Sequence, residues 1–412
     1  MHFTAVFLLS FSLLQASVFD VFGIGTVQYG YSFAGAGRGY TGIGVGDSLA
    51  MPGINPASAA HIQKTLFQAG MQVNTSLVGD VVSSQYQGFR EVSLAIPAGE
   101  RGGLLFGLKP AAMAEGGLTT LRPSLQAREA FYQSGGIYLA SFVYARRLTS
   151  NLSAGVGLSA GVGGYEMVHD ITFEDGSFDD VHFINQSGVD SRHLQLGLQA
   201  RAFGRLEAGL MLDLGLAARS RSLVSGNSGS YTPGYIDLIF AQPDTIDFEG
   251  AFMGDRLGLG LSYHLMENLR ASSDLIISFN EPVYDSKRFG INPAFQGSGS
   301  YHFGFGLEIP SDSNPYSSYL RRMDFRIGAA MDRSYLDSGS GAEYSSTVFT
   351  AGTGIPVGAA GRLDLAFSMA LNSGTLYNSV NPAGLSLNET VYGIRIGFRA
   401  MDTWFNTSGK YR

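Results

Sequence analysis

Along most of the chain, apolar and polar side chains alternate one for one. In the stretch 361–374, Leu363, Leu365, Phe367, Met369 and Leu371 share one parity, and Arg362, Asp364, Ala366, Ser368 and Ala370 share the other. A period of two sends such sets to opposite sides of an extended strand. The same alternation runs through 192–204, 205–219, 255–265, 268–279, 300–309, 322–334 and 389–401. Short connections at 146–151, 202–206, 264–269 and 356–362 join neighbouring segments and predict antiparallel hairpins. Longer and more polar connections are expected at 165–191, 220–250, 280–299 and 310–320, with short turns on one side of the sheet and long loops on the other. The count of segments is about fourteen, an even number of the kind single-chain bacterial barrels use. Only 97–134 lacks a clean alternation.

Composition decides what lies on each side of those strands. Charged residues are 15% of the chain, against roughly a quarter in ordinary globular domains. The faces opposite the apolar ones carry Gly, Ala and Ser in place of Lys and Glu, which argues against a soluble sandwich or propeller whose outer face meets water. Aromatics gather near strand ends (Tyr138, Phe142, Tyr144; Tyr301, Phe303, Phe305; Tyr392, Phe398), where a bilayer girdle needs them. No apolar run reaches the ~18 residues of a membrane helix. The expected fold class is therefore all-β, a transmembrane antiparallel β-barrel of about fourteen strands, in the outer membrane of a Gram-negative bacterium.

The start of the chain has its own organisation. Phe3 to Leu14 reads as the apolar core of a signal peptide with cleavage after Ala16 or Ser17, giving 1–17 as leader. Residues 18–62 fit neither strand nor helix, 63–400 form the barrel with its loops, and 401–412 form a tail. A barrel of this size leaks unless its lumen is filled. Residues 18–62, with glycines at 35, 37, 39, 42, 44 and 46 and with Pro52 and Pro56, are the expected plug.

Charge and candidate chemistry narrow the function classes. The net charge of −7 comes without any basic cluster, which excludes a nucleic-acid footprint. No cysteine is present, no hydrolase, zincin or phosphate-loop motif occurs, and the histidines are scattered, so neither an enzyme, a metal site nor a cofactor is expected. Arg201, Glu207, Asp213, Arg256, Asp324, Arg326, Arg362, Asp364, Arg395 and Arg399 fall on the faces opposite the lipid-facing ones, together with Arg146, Arg270, Asp274 and Glu308. Both signs are similarly frequent, so a paired lumen network that anchors an inserted segment is expected over an ion-selective pore. Apolar residues in the long connections, Phe173, Phe178, Phe183, Tyr235, Ile239 and Phe240, are candidates for ligand capture.

The N-terminal segment carries Gly37-Arg38-Gly39, then Gly46-Asp47-Ser48, then Asn55-Pro56-Ala57. In this it resembles the FadL/TodX-like outer-membrane transporters of long-chain fatty acids and aromatic hydrocarbons. Those are fourteen-stranded barrels with an N-terminal hatch. The resemblance implies that these nine residues gate the lumen and that a hydrophobic small molecule or lipid passes through and leaves sideways into the membrane. The family's usual second aspartate is Ser48 here. At the other end, Tyr392, Ile394, Ile396 and Phe398 share one face of a last strand resembling those read by the barrel-assembly machinery. The tail from Trp404 to Arg412 resembles PorV-like barrels, which implies the alternative of a secretion-associated or scaffold barrel that binds a protein partner.

Overall fold

Seventeen strands form one antiparallel sheet that closes on itself in the computed structural model, which describes Phe19 and residues 26–402 apart from 79–80, 123–125, 174–179, 233–234, 250–254, 280–295, 313, 315, 338–342, 359 and 377–384. The strands are β1 (Thr26–Val27), β2 (Thr65–Val78), β3 (Val81–Ala98), β4 (Gly102–Met113), β5 (Gly116–Arg122) and β6 (Ala127–Arg147). They continue with β7 (Leu152–Phe173), β8 (Val181–Ala202), β9 (Leu206–Thr232), β10 (Tyr235–Glu249), β11 (Asp255–Met266) and β12 (Leu269–Phe279). The last are β13 (Gln296–Ile309), β14 (Asp324–Asp337), β15 (Glu343–Val357), β16 (Gly361–Leu376) and β17 (Leu385–Asp402). Not all of them are separate staves of the ring. Both β4 and β5 pair with β6 and make one interrupted stave, β10 extends a hairpin with the far end of β9 while β11 takes its near end, and β1 lies outside the ring. Fourteen staves remain, and β17 pairs with β2 to close the barrel.

The alternation expected from the sequence is inverted relative to a soluble protein. On β11, Leu257, Leu259 and Leu261 are 36%, 49% and 55% exposed, while Arg256 and Ser262 on either side of them, at the opposite parity, are 5% and 0% exposed. Large apolar side chains face outward all around the ring, and charged or amide side chains face in. A bilayer explains both halves of this pattern, since lipid receives the leucines and the inter-strand ladders pair the backbone of neighbouring staves in hydrocarbon.

Two expectations need correction. The connections 165–191 and 220–250 are largely strand, because β7, β8, β9 and β10 run well beyond the bilayer band as paired ladders. Phe173 and Phe183 thus stand on strands, as does the backbone of Tyr235, Ile239 and Phe240, while Phe178 lies outside the described residues. The connection after Pro310, with its short 3₁₀ turn at Tyr319–Arg322, falls on the same side as the tight turns at 99–101, 148–151, 203–205, 267–268 and 358–360. It was expected among the long loops; the up-down order of the strands sets its side, and loop length does not. Residues 1–17 and 403–412 lie outside the described residues.

The ring is incomplete at one seam. Pairing between β3 and β4 runs from Ala98↔Gly102 only to Val92↔Leu108 and then stops, although both strands continue. Beyond that point β3 stays paired with β2, and β4 with β6. The free edge of β4 takes β1 instead, with Thr26 opposite Met113 and Val27 opposite Ala112, and Gln28 N donates to Ala111 O at 2.8 Å. This is the stretch without clean alternation in the sequence: the stave is interrupted between β4 and β5, and its register to β6 shifts between Pro110 and Ala112, a bulge that bends the strand.

Candidate functional site

The segment from Thr26 to Ile62 packs against the inward faces of the staves. Its first turn is local: Ser32 Oγ accepts from Gly35 N at 3.3 Å and caps the short helix Phe33–Gly37. Gly30, Gly39 and Tyr40 then take positive φ of 75°, 60° and 52°, which reverses the chain twice inside a confined space. At Gly39 a side chain is impossible, since a Cβ would strike Phe305 O and the Ala329 backbone of β13 and β14. The Gly39 amide donates to Thr350 Oγ1 at 2.8 Å, and the Thr350 hydroxyl donates to Gly37 O at 3.2 Å. The sequence thus keeps glycine where the segment's backbone lies flush with the wall.

Two buried wall carboxylates receive the segment's donors. Asp274 of β12 accepts from Gly42 N at 2.7 Å, Ile43 N at 2.9 Å and the Tyr31 hydroxyl at 3.1 Å. Burial, and after it the Asp274 carboxylate, push the Tyr31 phenol well above its ordinary pKa, so Tyr31 stays a donor. Glu308 of β13 accepts from three guanidinium groups: Arg38 of the segment, and Arg270 and Arg326 of the wall. Between them Thr41 meets Ser272 at 2.6 Å. Above, His302 Nδ1 lies 2.7 Å from Asp332 and Nε2 lies 3.1 Å from Tyr40 O. Both ring nitrogens face acceptors, the arrangement of a doubly protonated ring.

The other residues singled out in the segment are placed as follows. Asp47 folds back on its own loop, accepting from Leu49 N at 2.9 Å and Ala50 N at 3.2 Å, with Arg270 at 3.9 Å. Ser48 is half-buried. Gly46 N donates to Glu207 at 3.1 Å. Asn55 is fully buried and caps the 3₁₀ turn Pro56–His61, accepting from Ala57 N at 3.0 Å. Its amide also donates to Ile43 O at 2.9 Å and to Leu198 O of β8 at 3.0 Å. One side chain therefore ties two stretches of the segment to the wall.

Arg146 was expected on the lumen side, but it shares the outward parity of Phe142 and Tyr144 and is exposed near the end of β6. Asp274 and Arg395 aside, the other charged residues read from the sequence fall into three groups on the lumen side. The largest joins Arg326 to Asp324 (2.6 Å), Asp364 (3.2 Å) and Glu308 (2.8 Å), with Arg362 on Asp324 (2.6 Å) and Arg399 on Asp364 (3.3 Å). Asp213 and Arg256 pair at 2.7 Å beside His193, and Arg201 pairs with Glu207 near the turns. Arg395 lies over the Tyr40 ring, 4.8 Å from its centroid, and also bonds its hydroxyl. The sequence did not single out Tyr31, Tyr40, His302 or Thr350. The only signal for them was a pair of tyrosines inside a glycine-rich run, which has no wall partner until the barrel is closed.

Two cavities lined by described residues border the segment, one of about 70 Å³ next to Gly46 and His61 and one of about 30 Å³ next to Arg38 and Glu308. Of the ligand-capture candidates, Phe183 approaches His169, which stacks on Phe131 at 4.1 Å on the far half of the wall. Phe173 stands at the end of β7. Among the described residues no three His, Asp or Glu side chains come together as metal ligands.

The BamG family model matches residues 2–411. None of the curated proteins matches the chain in sequence. Among solved structures it is similar to the CymD monoaromatic hydrocarbon channel, at 15% identity and a TM-score of 0.61 over 91% of this chain and 98% of that one. It is also similar to a Pseudomonas aeruginosa FadL homologue (12%, 0.60, over 92% and 100%) and to the Ralstonia pickettii toluene transporter TbuX (14%, 0.59, over 91% and 99%). At such identities the likeness is one of fold, and that fold is the one the sequence led us to expect.

Proposed function

The chain belongs to the BamG family, and from that premise we propose that it is an outer-membrane channel of a Gram-negative bacterium for passive entry of hydrophobic small molecules. In this reading the segment 26–62 is a hatch, and the exit is lateral, through the seam between β3 and β4. The observation that carries it is the seam itself: two adjacent staves part above Val92↔Leu108, and the free edge is held by two residues of the N-terminal segment. Movement of that segment would uncover a gap in the wall without breaking any stave-to-stave ladder. Glu91 and Lys109 pair at 3.3 Å where the gap begins.

With the tight turns on the periplasmic side, as in bacterial barrels, the seam lies toward the outer half of the membrane. The ligand class is long-chain fatty acid or aromatic hydrocarbon; CymD is a monoaromatic hydrocarbon channel and TbuX a toluene transporter. No residue group is assigned to catalysis, and no cofactor or nucleic acid enters this reading. The barrel-assembly machinery would insert the chain by its last strand, whose Tyr392, Ile394, Ile396 and Phe398 all face outward. The test is uptake of radiolabelled oleate and toluene by cells with and without the protein, and equal uptake of both ligands in the two strains defeats the reading.

One observation favours a second reading. The two cavities described beside the hatch hold no more than a few waters each, and the hatch is fixed by Asp274, Glu308 and Asn55 at once. A barrel closed in that way also suits a secretion-associated or scaffold role with a protein partner. Co-purification of a stoichiometric partner, combined with unchanged uptake on deletion, selects it.

A further inference from the structure

The outward face of the barrel carries a hollow that lipid must fill, and a charge at its edge that bulk lipid does not explain. The hollow measures about 690 Å³ and extends across β3, β4 and β6 to β9 on the outer side of the wall. That volume is within the roughly 300–1,000 Å³ of small-ligand sites. Its rim is made by Val92, Phe106, Phe142, Leu158 and Leu216, which are 38%, 43%, 44%, 57% and 58% exposed. Its floor is low because Ala140 and Ala160 stand side by side on β6 and β7. Small side chains next to Phe and Leu leave a trough along the wall.

Arg192 closes one end of that trough. It is directly opposite Ala160 in the β7–β8 register, and it is exposed while its neighbours Ser191 and His193 are buried on the lumen side. The ladder to β9 slips at this point, with Arg192↔Ala217 followed by His193↔Gly215, so Leu216 is the extra residue beside it. Below Arg192 on the same face come Leu194, Leu196, Leu198 and Ala200, and above it comes Asp190, opposite Arg219. Among the described residues Arg192 has no hydrogen-bond or ion-pair partner. It is ten residues above the end of β8, about 25 Å at ~3.3 Å per residue and ~40° of tilt, which is the outer margin of the apolar band.

We propose that this trough is a binding site for an anionic, phosphate-bearing lipid of the outer leaflet, whose chemistry phosphatidylglycerol represents in the test below. One acyl chain lies over Ala140 and Ala160 between Phe142 and Leu158, and the phosphate meets the Arg192 guanidinium. A guanidinium at the margin of the band has phosphate within its reach and no protein carboxylate assigned to it, which gives the charge complementarity. The hollow supplies what a flat lipid-facing wall lacks, a fixed place for the chain. This site is outside the lumen, so it holds whether the barrel transports a ligand or serves a protein partner.

The test is native mass spectrometry of the full chain, purified in non-ionic detergent and incubated with phosphatidylglycerol or with phosphatidylcholine of the same acyl chains. One phosphatidylglycerol is expected to stay bound at least ~10-fold more tightly than phosphatidylcholine, and Arg192→Gln should remove that preference, a change of about 1.4 kcal/mol. Ala160→Phe fills the floor with the charge intact and should lower retention of both lipids. Equal retention of the two lipids by the native chain, an unchanged preference in Arg192→Gln, or unchanged retention in Ala160→Phe each overturns the proposal. So does a protein found seated on this face in place of lipid. Gel mobility before and after heating shows whether each variant has folded, and Ala160→Phe keeps the test open should Arg192→Gln fail to fold.

Discussion

Replacing Glu308 with Gln is the sharpest probe of how the N-terminal segment is held. Glu308 is 3% exposed and is the shared acceptor of Arg38, Arg270 and Arg326, of which only Arg38 belongs to the segment. The connected group contains five arginines (38, 270, 326, 362 and 399) against Glu308, Asp324 and Asp364, with Asp47 a fourth carboxylate at 3.9 Å from Arg270. It therefore carries one formal positive charge in excess, and Glu308→Gln makes the excess two. Removing one partner of a buried ion pair costs about 3–5 kcal/mol, because the remaining charge stays buried without compensation. The wall arginines are held by strands, so the strain falls on the one element that can leave. A loss of about 3 kcal/mol in docking corresponds to roughly 150-fold faster amide exchange when exchange follows local opening. Hydrogen exchange of peptides covering 31–45, in detergent or nanodiscs, reads this directly. Adding Arg38→Met should restore part of the protection, since it removes the excess charge, with a coupling of about 0.5–3 kcal/mol. Unchanged exchange in Glu308→Gln would refute the reasoning, and so would equal acceleration in 31–45 and in the staves.

Other expectations follow from single contacts. Gly39→Ala adds a Cβ against Phe305 O at a φ of 60° and should undock the segment at a cost of about 1–3 kcal/mol or more, seen as raised conductance in planar bilayers with the barrel still heat-modifiable on gels. Asn55→Ala removes the cap of the 3₁₀ turn and two donors to Ile43 O and Leu198 O, a loss of about 1–3 kcal/mol that trypsin should report as faster cleavage after the exposed Lys64. Leu261→Arg places a charge on the lipid face five residues from the end of β11, near mid-depth, and should lower folding stability into vesicles by about 2–4 kcal/mol; a neutral effect would mean that this face does not meet lipid.

What the sequence by itself determined was everything with a period of two. The alternation on β11 or β16 assigns each side chain to one face, and the scarcity of charges on both faces leaves only a bilayer as the surroundings, so barrel class and lumen residues such as Asp213, Arg256 and Asp364 were legible from local pattern alone. The glycines and the Asn-Pro-Ala of the N-terminal segment were legible as a break in the alternation, but the expectation that they fit no regular element was wrong: Phe33–Gly37 form a short helix and Pro56–His61 a 3₁₀ turn, each fixed by a local cap. Tertiary structure decided the rest, because it depends on pairs far apart in the chain. That Asp274 would receive the amides of Gly42 and Ile43, or that Glu308 would gather Arg38 with Arg270 and Arg326, follows only once fourteen staves close and bring residues more than 200 positions apart within hydrogen-bond reach. The seam between β3 and β4 was illegible for the same reason. A strand's sequence specifies which way its side chains point, but the point where it parts from its neighbour is set by the bend of β4 and by β1 occupying the free edge.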